Sequence, residues 1–184
     1  MALVLFLLGP PGVGKTSLAR RLLMSGGRVP TLIYRPKWSF TESICAAGHY
    51  RGELFDGADT IPYSGASDVL DWWSYQFIQF PLTILDGDRM STGRTLEFLD
   101  RFAVPRTAVL LQATPLDLVS RRLGRGSDQD PSWMKGRETK ARRFANLIGH
   151  YLLLDTSHLT MDEVYSRVVE YLLELGINSK VFTD

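Results

Sequence analysis

The feature that most constrains this sequence is a glycine-rich loop between an apolar segment and a helical one. Residues 3–8 read LVLFLL, an unbroken apolar run typical of a strand covered on both faces of a parallel sheet. The next eight residues, GPPGVGKT, fit the pattern G-x-x-x-x-G-K-[ST]. Between a strand and a helix, this pattern predicts a loop whose backbone amides wrap the phosphates of a nucleotide. We expect the strand before the loop to be central in its sheet.

Each residue type in the loop has a chemical role. Gly12 and Gly14 let amide groups turn inward, Lys15 reaches the β and γ phosphates, and Thr16 offers its hydroxyl to Mg²⁺. A glycine-rich turn that binds nothing is the alternative, and the complete match disfavours it. The predicted nucleotide-binding residues are Gly9, Pro10, Pro11, Gly12, Val13, Gly14, Lys15, Thr16 and Ser17.

Strand and helix patterns alternate along the rest of the chain. Further strands are predicted at residues 31–34, 82–86, 108–112 and 151–154, and helices at 15–24, 69–77, 91–102, 116–123, 138–148 and 161–175. Such a succession, joined by right-handed crossovers, predicts a parallel sheet between helical layers. We therefore expect one domain over residues 1–184, a three-layer α/β/α fold of the P-loop NTPase type with about five parallel strands.

Composition limits the partners and the compartment. With 21 Lys and Arg against 20 Asp and Glu, the net charge of +1 gives no global attraction to nucleic acid or anionic membrane. The single cysteine, Cys45, cannot form an internal disulfide and favours a reducing compartment, so the expected location is cytoplasmic. The apolar start is too short to span a bilayer, and no membrane partner is expected.

Acidic residues end the predicted strand 82–86. Asp86 closes the strand, and Asp88 and Arg89 follow after one glycine. In open α/β sheets, ligands bind at this edge, so Asp86 is the first choice for a second Mg²⁺ ligand beside Thr16. The other carboxylate would accept the proton of an attacking hydroxyl, although the sequence leaves the division of roles open. A solvated turn is the alternative.

A basic segment follows the fourth predicted strand. Residues 121–143 carry eight cations against three carboxylates, and Gly, Ser, Asp and Pro residues are expected to interrupt the helix there. The pattern predicts an arginine lid over about residues 122–140, in which Arg122, Arg125 and Arg137 stabilise the migrating phosphoryl group. A solvated charged surface is the alternative, above all for Lys140, Arg142 and Arg143. Trp133 in a basic loop is a weak signal for unstacked nucleic acid.

The segment from about residue 36 to 80 is predicted to be an insertion that binds the acceptor. It is rich in Gly, Pro, Ser and aromatic residues and shows little periodicity. Cations with aromatic residues suit an acceptor that presents a phosphate and a flat ring, whereas any one of them could instead be structural. Carboxylates on both sides of Gly57 could also supply the base. The candidate acceptor-binding residues are Arg35, Lys37, Trp38, Arg51, Asp56, Asp59 and Arg89.

These motifs together resemble a known family. The phosphate loop, the acidic strand end and the run VLLQATP leading into RLGR resemble the small P-loop kinases of the nucleoside monophosphate kinase and polynucleotide kinase group. More narrowly, LFDGAD, DGDR, and RGSDQ through WMKGRETK are similar to bacteriophage-type kinases, among them the 5-hydroxymethyluracil DNA kinases. The resemblance implies ATP and Mg²⁺ as cosubstrates, an acceptor-binding insertion, an arginine lid and, for a phage-encoded protein, the host cytoplasm.

The function that follows is ATP-dependent transfer of the γ-phosphoryl group to a hydroxyl on a nucleotide or nucleic acid. The preferred acceptor is 5-hydroxymethyluracil in DNA, a DNA modification, because residues 38–73 differ from ordinary thymidylate and adenylate kinases. Asp88 or Asp56 would act as the base. A deoxynucleoside monophosphate kinase is the alternative, and a nucleotide-dependent ATPase or switch without an acceptor is the second alternative. The oligomeric state is left open.

Overall fold

The computed structural model describes residues 2–52, 56–76, 79–124 and 130–183. In these ranges the strands are β1 (Leu3–Leu8), β2 (Thr31–Tyr34), β3 (Lys37–Phe40), β4 (Ile44–Ala47), β5 (Leu82–Asp86), β6 (Arg106–Gln112) and β7 (Tyr151–Asp155). The helices are α1 (Lys15–Leu23), α2 (Ala66–Gln76), α3 (Gly93–Arg101), α4 (Pro115–Leu123), α5 (Pro131–Ile148) and α6 (Met161–Glu174). Short 3₁₀ turns lie at Ser25–Gly27, Ala58–Thr60 and Ser179–Val181.

The strands of these ranges form one sheet in the order β2-β3-β4-β5-β1-β6-β7. Strands β4, β5, β1, β6 and β7 are parallel, and β1 is paired on both sides, to β5 and to β6. Because every residue of β1 is buried, its unbroken apolar run reflects cover on both faces. The predicted three-layer fold with about five parallel strands and a central first strand is thus confirmed.

One of the five strands predicted to be parallel is antiparallel in the structure. The segment Thr31–Tyr34 was expected to lie in the parallel sheet, but it is the outer strand of an antiparallel hairpin with β3. Only two residues connect the two strands, too few for a parallel crossover. The parallel place is taken by β4, whose four residues are all buried. Strands β3 and β4 were not predicted. Both are only four residues long, and the buried run ICAA of β4 has no alternating pattern.

Helices cover both faces of the sheet and build two cores. On one face, Leu5 and Leu7 of β1 pack with Leu18 and Leu22 of α1 and with Val168 of α6. On the other face, Phe6 and Leu8 pack with residues of α2, α3 and α5, including Trp73, Leu99 and Phe144. None of the helices in the described ranges has both the length and the apolar character required to cross a bilayer.

Helix α5 begins seven residues before the predicted start at residue 138. Asp130 caps it, because its side chain accepts hydrogen bonds from the amides of Ser132 at 2.8 Å and Trp133 at 3.1 Å. Pro131 was expected to interrupt a helix, but proline is well tolerated in the first helical turn. Consequently Trp133 and Arg137 lie on a helix and not in the predicted loop.

Trp38 lies in the core, although the sequence suggested that it could contact an acceptor. Its residue is 0% exposed, and its ring lies 5.3 Å from the ring of Trp72. A side chain without exposed surface has no access to a ligand in this structure, and its contribution is to packing.

We expect Trp38→Leu to lower the free energy of unfolding by about 2–4 kcal/mol, because it removes a large buried ring. Urea denaturation followed by circular dichroism measures the change. The matched control is Tyr75→Leu, at a side chain on α2 that is 81% exposed, which should change stability by less than about 0.5 kcal/mol. Equal losses in the two variants would contradict a core role for Trp38.

Candidate active site

The phosphate loop leads from the end of β1 into the first turn of α1. Gly9 has φ of +136°, and a Cβ there would lie 2.3 Å from the carbonyl oxygen of Leu111 on β6. Only glycine fits so close to the neighbouring strand. The ammonium of Lys15 donates to the carbonyl oxygens of Gly9 and Pro10, both at 2.9 Å. The loop therefore carries its lysine at the amino end of α1, where the helix dipole favours anions.

Thr16 and Asp86 meet beside the loop. The Thr16 hydroxyl donates to Asp86 Oδ2 at 2.8 Å, and Asp86 is only 2% exposed. The other carboxylate oxygen, Oδ1, is buried and has no hydrogen-bond partner among the residues that the structure describes. A threonine hydroxyl and a carboxylate with an unused oxygen are ligands that Mg²⁺ prefers, so the residues fit the predicted metal site.

Burial changes the acidity of this carboxyl. Loss of solvation raises the pKa of Asp86 from 3.8 to about 6, although the charge of Lys15 and the hydrogen bond from Thr16 act in the opposite direction. A carboxylate that is costly to bury alone gains most from a cation placed against it.

Gly57 lies directly against the Thr16–Asp86 pair. A Cβ at this position would lie 2.9 Å from Thr16 Cγ2 and 3.0 Å from Asp86 Oδ2, so only a residue without a side chain fits. Tyr50 lies under the same loop, where burial and then the charge of Asp86 raise the pKa of its hydroxyl. The sequence indicated a glycine turn at 52–59, but nothing in it placed Gly57 against the phosphate loop.

Asp88 lies two residues after Asp86 and is paired with Arg137 of α5. Arg137 Nη1 is 2.6 Å from Asp88 Oδ2, and the two side chains are 27% and 34% exposed. The Arg137 guanidinium also lies over the ring of Trp133, 4.6 Å from its centre. Trp133 therefore stacks on an arginine in this structure, and its contact with nucleic acid stays a prediction.

Arg89 is turned toward the acceptor segment. Its guanidinium donates to the carbonyl oxygen of Ile61 at 2.6 Å and lies over the ring of Tyr63, 4.1 Å from the centre. It also forms a weak ion pair with Asp59 at 3.9 Å. Tyr63 is 86% exposed, whereas the side chain of Arg89 is 19% exposed, so the pair presents to solvent an aromatic ring that is stacked on a largely covered cation.

Asp56 is committed to the local structure. Its two oxygens accept hydrogen bonds from the backbone amides of Arg51 and Gly52, both at 2.8 Å, and Arg20 of α1 lies 3.7 Å away. These contacts fasten the turn at 51–52 to α1. Arg51 reaches outward instead, and its guanidinium contacts the hydroxyl of Tyr34 at 2.6 Å.

The remaining predicted residues lie at different distances from this centre. Arg35 and Lys37 belong to the β2–β3 hairpin, three or four strands away from β1 in the sheet. Arg122 packs on the phosphate loop, since a Cβ at Gly12 would lie 3.0 Å from its Cγ. Arg125, with the rest of residues 125–129, lies outside the described residues, as do residues 53–55 of the acceptor segment.

A cavity of about 240 Å³ borders the opposite side of the phosphate loop. Arg121 closes part of it, since its guanidinium donates to the hydroxyl of Thr156 at 3.0 Å and to the carbonyl oxygen of Thr156 at 2.7 Å. Thr156 was not predicted as a site residue, although it follows β7 at the same edge of the sheet as Asp86. The lining residues are Gly12, Val13, Gly14, Ser17, Leu111, Arg121, Thr156, Leu159, Met161 and Val164.

Solved structures with the same fold include a tunicamycin resistance protein and two kinases. The tunicamycin resistance protein of Deinococcus radiodurans is 16% identical, with 94% of this chain and 96% of that chain covered and a TM-score of 0.57. A sugar kinase from Janibacter sp. is 12% identical over 100% of both chains, also with a TM-score of 0.57. Shikimate kinase from Acinetobacter baumannii is 17% identical over 95% of each chain, with a TM-score of 0.50.

No model of a protein family matches the chain, and no curated protein matches it. At identities below 20%, the likeness to the solved structures concerns the fold. The chain therefore has the fold of small P-loop kinases, and its chemistry must be argued from its own residues.

Asp86→Asn tests the cost of the buried carboxylate. Since the folded pKa is raised from 3.8 to about 6, the metal-free wild type is penalised above about pH 4, and the full penalty is present above pH 6. We expect the variant to be more stable than the wild type at pH 7.5, by at most about 3 kcal/mol. The advantage should shrink as the pH falls through 6 and vanish below about 4.

Urea denaturation in EDTA at pH 7.5, 5.5 and 4 measures this difference. Asp71→Asn, at an exposed position on α2, is the control and should show no such dependence on pH. An Asp86→Asn protein that is less stable than the wild type at pH 7.5 would show that the carboxylate is well compensated without a cation.

Proposed function

We propose that this protein is an ATP- and Mg²⁺-dependent kinase that transfers the γ-phosphoryl group to a hydroxyl of its acceptor. The observation that carries the proposal is the convergence of three features at one edge of the sheet. These are the phosphate loop, the Thr16–Asp86 pair and the Asp88–Arg137 pair. The named activities of the sugar kinase and of shikimate kinase, which share the fold, are consistent with it.

The loop amides and Lys15 would hold the phosphate tail of ATP, with phosphate oxygens replacing the carbonyl acceptors of the lysine. The cavity of about 240 Å³ beside Arg121 suits the nucleotide base or sugar, because it adjoins Gly12 and Gly14 directly. Thr16 and Asp86 would hold Mg²⁺, which supplies charge neutralisation at the phosphates when bound. Arg122, Arg125 and Arg137 would cover the transferring group.

Asp88 is the base that we propose, and the alternative Asp56 is disfavoured. Both oxygens of Asp56 accept backbone hydrogen bonds, whereas Asp88 is one-third exposed at the edge where an acceptor can enter. The acceptor oxygen would attack the γ phosphorus as the bond from that phosphorus to the β–γ bridging oxygen breaks. The hydroxyl proton passes to the Asp88 carboxylate, and ADP leaves.

Arg137 would connect binding of ATP to release of this base. In the structure its guanidinium is engaged by Asp88, 2.6 Å away. The γ phosphate carries more negative charge than one carboxylate and would compete for the same guanidinium. Turning Arg137 toward the phosphate would free Asp88 for the hydroxyl at the moment when the donor is bound.

The acceptor that we propose is a nucleotide unit, with 5-hydroxymethyluracil in DNA preferred over a free deoxynucleoside monophosphate. The exposed Tyr63 ring beside Arg89 suits a planar base with a phosphate nearby. A base within a duplex would have to leave its stack to reach Asp88, and single-stranded DNA avoids that cost.

Asp88→Asn should lower kcat by about 10²–10⁴-fold with little effect on the KM for ATP, because it removes proton acceptance and leaves the phosphate loop intact. Lys15→Ala should lower activity strongly and weaken ATP binding. Phosphate transfer with labelled ATP measures the rates. Asp71→Asn on α2 is the control for Asp88→Asn and should keep the wild-type rate. Lys15→Ala with an undiminished rate would overturn the proposed function.

Offering acceptors separately identifies the substrate. Labelled ATP is supplied with single-stranded DNA containing 5-hydroxymethyluracil, with the same DNA containing thymine, and with free deoxynucleoside monophosphates. We expect label only in the first. Label in free monophosphates would favour the monophosphate kinase instead. ATP hydrolysis at one rate with and without every acceptor would favour the ATPase or switch.

A further inference from the structure

A basic groove lies outside the site described so far. It runs between the start of α3 and the exposed side of α5 and encloses about 810 Å³. Its apolar lining consists of the buried Phe144 and the exposed Leu147. Three cations lie along it, Lys135, Lys140 and Arg143, and none of its lining residues in the described part of the chain is a carboxylate. We call it the α3–α5 groove. Its residues are Ser91, Thr92, Gly93, Ser132, Lys135, Gly136, Thr139, Lys140, Arg143, Phe144 and Leu147.

The charge of the groove contrasts with the rest of the chain. Its three cations give +3, whereas the whole chain carries +1, which leaves −2 for everything else. No ion pair joins any of the three to a carboxylate in the described ranges. By contrast, Arg142 on the same helix lies 3.8 Å from Glu138. Since α3 also begins at this groove, its dipole adds to the positive potential. The groove therefore favours an anionic ligand.

The length of the charged row indicates an extended anion. Lys135 and Arg143 are eight residues apart on one helix, which corresponds to about 12 Å. Phosphates in a duplex strand advance about 3.4 Å along the helix axis, and those of an extended single strand are more widely spaced, so a row of about 12 Å matches about three consecutive phosphates of a single strand. One phosphate of a free nucleotide would engage only part of it.

The groove opens beside the proposed base. Ser91 lines it and lies three residues after Asp88, and its hydroxyl donates to the carbonyl oxygen of Gly87 at 2.8 Å. Gly136 also lines it, next to Arg137, which is paired with Asp88. A chain that lies in the groove can thus continue to the hydroxyl acceptor position without crossing the core.

We propose that the α3–α5 groove holds the sugar–phosphate backbone of a single nucleic-acid strand, one residue of which reaches Asp88. Lys135, Lys140 and Arg143 contact consecutive phosphates, and these contacts orient the strand without reading its sequence. The proposal rests on the proposed kinase function for the identity of the acceptor, but strand binding itself requires neither ATP nor transfer.

Fluorescence anisotropy of a labelled twelve-residue oligothymidine, without ATP, tests the groove. The variant is Lys140→Ala/Arg143→Ala. The matched control is Arg101→Ala/Arg142→Ala, which removes the same total charge from the two helices that border the groove, α3 and α5, at positions that do not line it. We expect the groove variant to bind at least about tenfold more weakly at 100 mM NaCl, and the control less than about twofold.

The salt dependence supplies a second readout. Three phosphate contacts predict a slope of log K against log salt near −2 for the wild type, and removal of two contacts should make it shallower by about 1.4. Equal loss in both double variants, loss in neither, or no binding by the wild type would overturn the proposal. Displacement by polyglutamate as effective as by unlabelled oligothymidine would overturn the assignment to nucleic acid.

Failure of the groove and failure of the kinase function give different results. If strands bind through the groove but no acceptor is phosphorylated, the proposed kinase function is wrong and the proposed strand-binding role of the groove is supported. If transfer occurs equally in the wild type and in Lys140→Ala/Arg143→Ala, and strand binding is also equal, the groove is wrong and the kinase function stands.

Discussion

A buried carboxylate placed against the phosphate loop is the constraint around which the rest of this protein is arranged. Asp86 ends a central strand, is almost fully buried and accepts a hydrogen bond from Thr16. Burial raises the pKa of its carboxyl to about 6, which is a free-energy cost in the isolated protein. The fold keeps the charge of Lys15 close to this carboxyl and sets the backbone of Gly57 against it, which is the arrangement on which the proposed cation and phosphate site rests.

The functional groups occupy different depths at the same edge of the sheet. Asp86 lies at the base of the site. Asp88 follows two residues later in the chain, is one-third exposed and pairs with Arg137. The exposed Tyr63, with Arg89, lies at the outer edge. This order suits a transfer in which the donor phosphates are held inside and the acceptor enters from outside. A rigid helix carries Arg137, and its stacking on Trp133 limits the positions that its guanidinium can take.

Sequence reasoning was most accurate where one short segment contains both the signal and the structure. The motif GPPGVGKT correctly predicted a loop between a strand and a helix, which are β1 and α1. It was least accurate over residues 31–47, where a two-residue connection turns the chain into a hairpin and β4 takes the parallel position. A buried four-residue strand such as ICAA has no alternating pattern to detect. The start of α5 was misplaced because a proline was read as a break where it opens a helix.

By itself, the sequence determined the phosphate loop, the α/β/α layers and the edge at which the acidic residues collect, because these follow from local patterns and from the geometry of parallel strands. The tertiary structure alone decided the roles of the individual side chains. It buried Trp38, committed Asp56 to backbone amides, paired Arg137 with Asp88 and set Gly57 against Thr16. The Arg137–Asp88 and Gly57–Thr16 contacts join residues 49 and 41 positions apart, and the burial of Trp38 depends on the packing of whole layers, so no local pattern encodes them. The amides that Asp56 engages are only five and four residues away, but the residue types alone do not show that its oxygens are occupied by them.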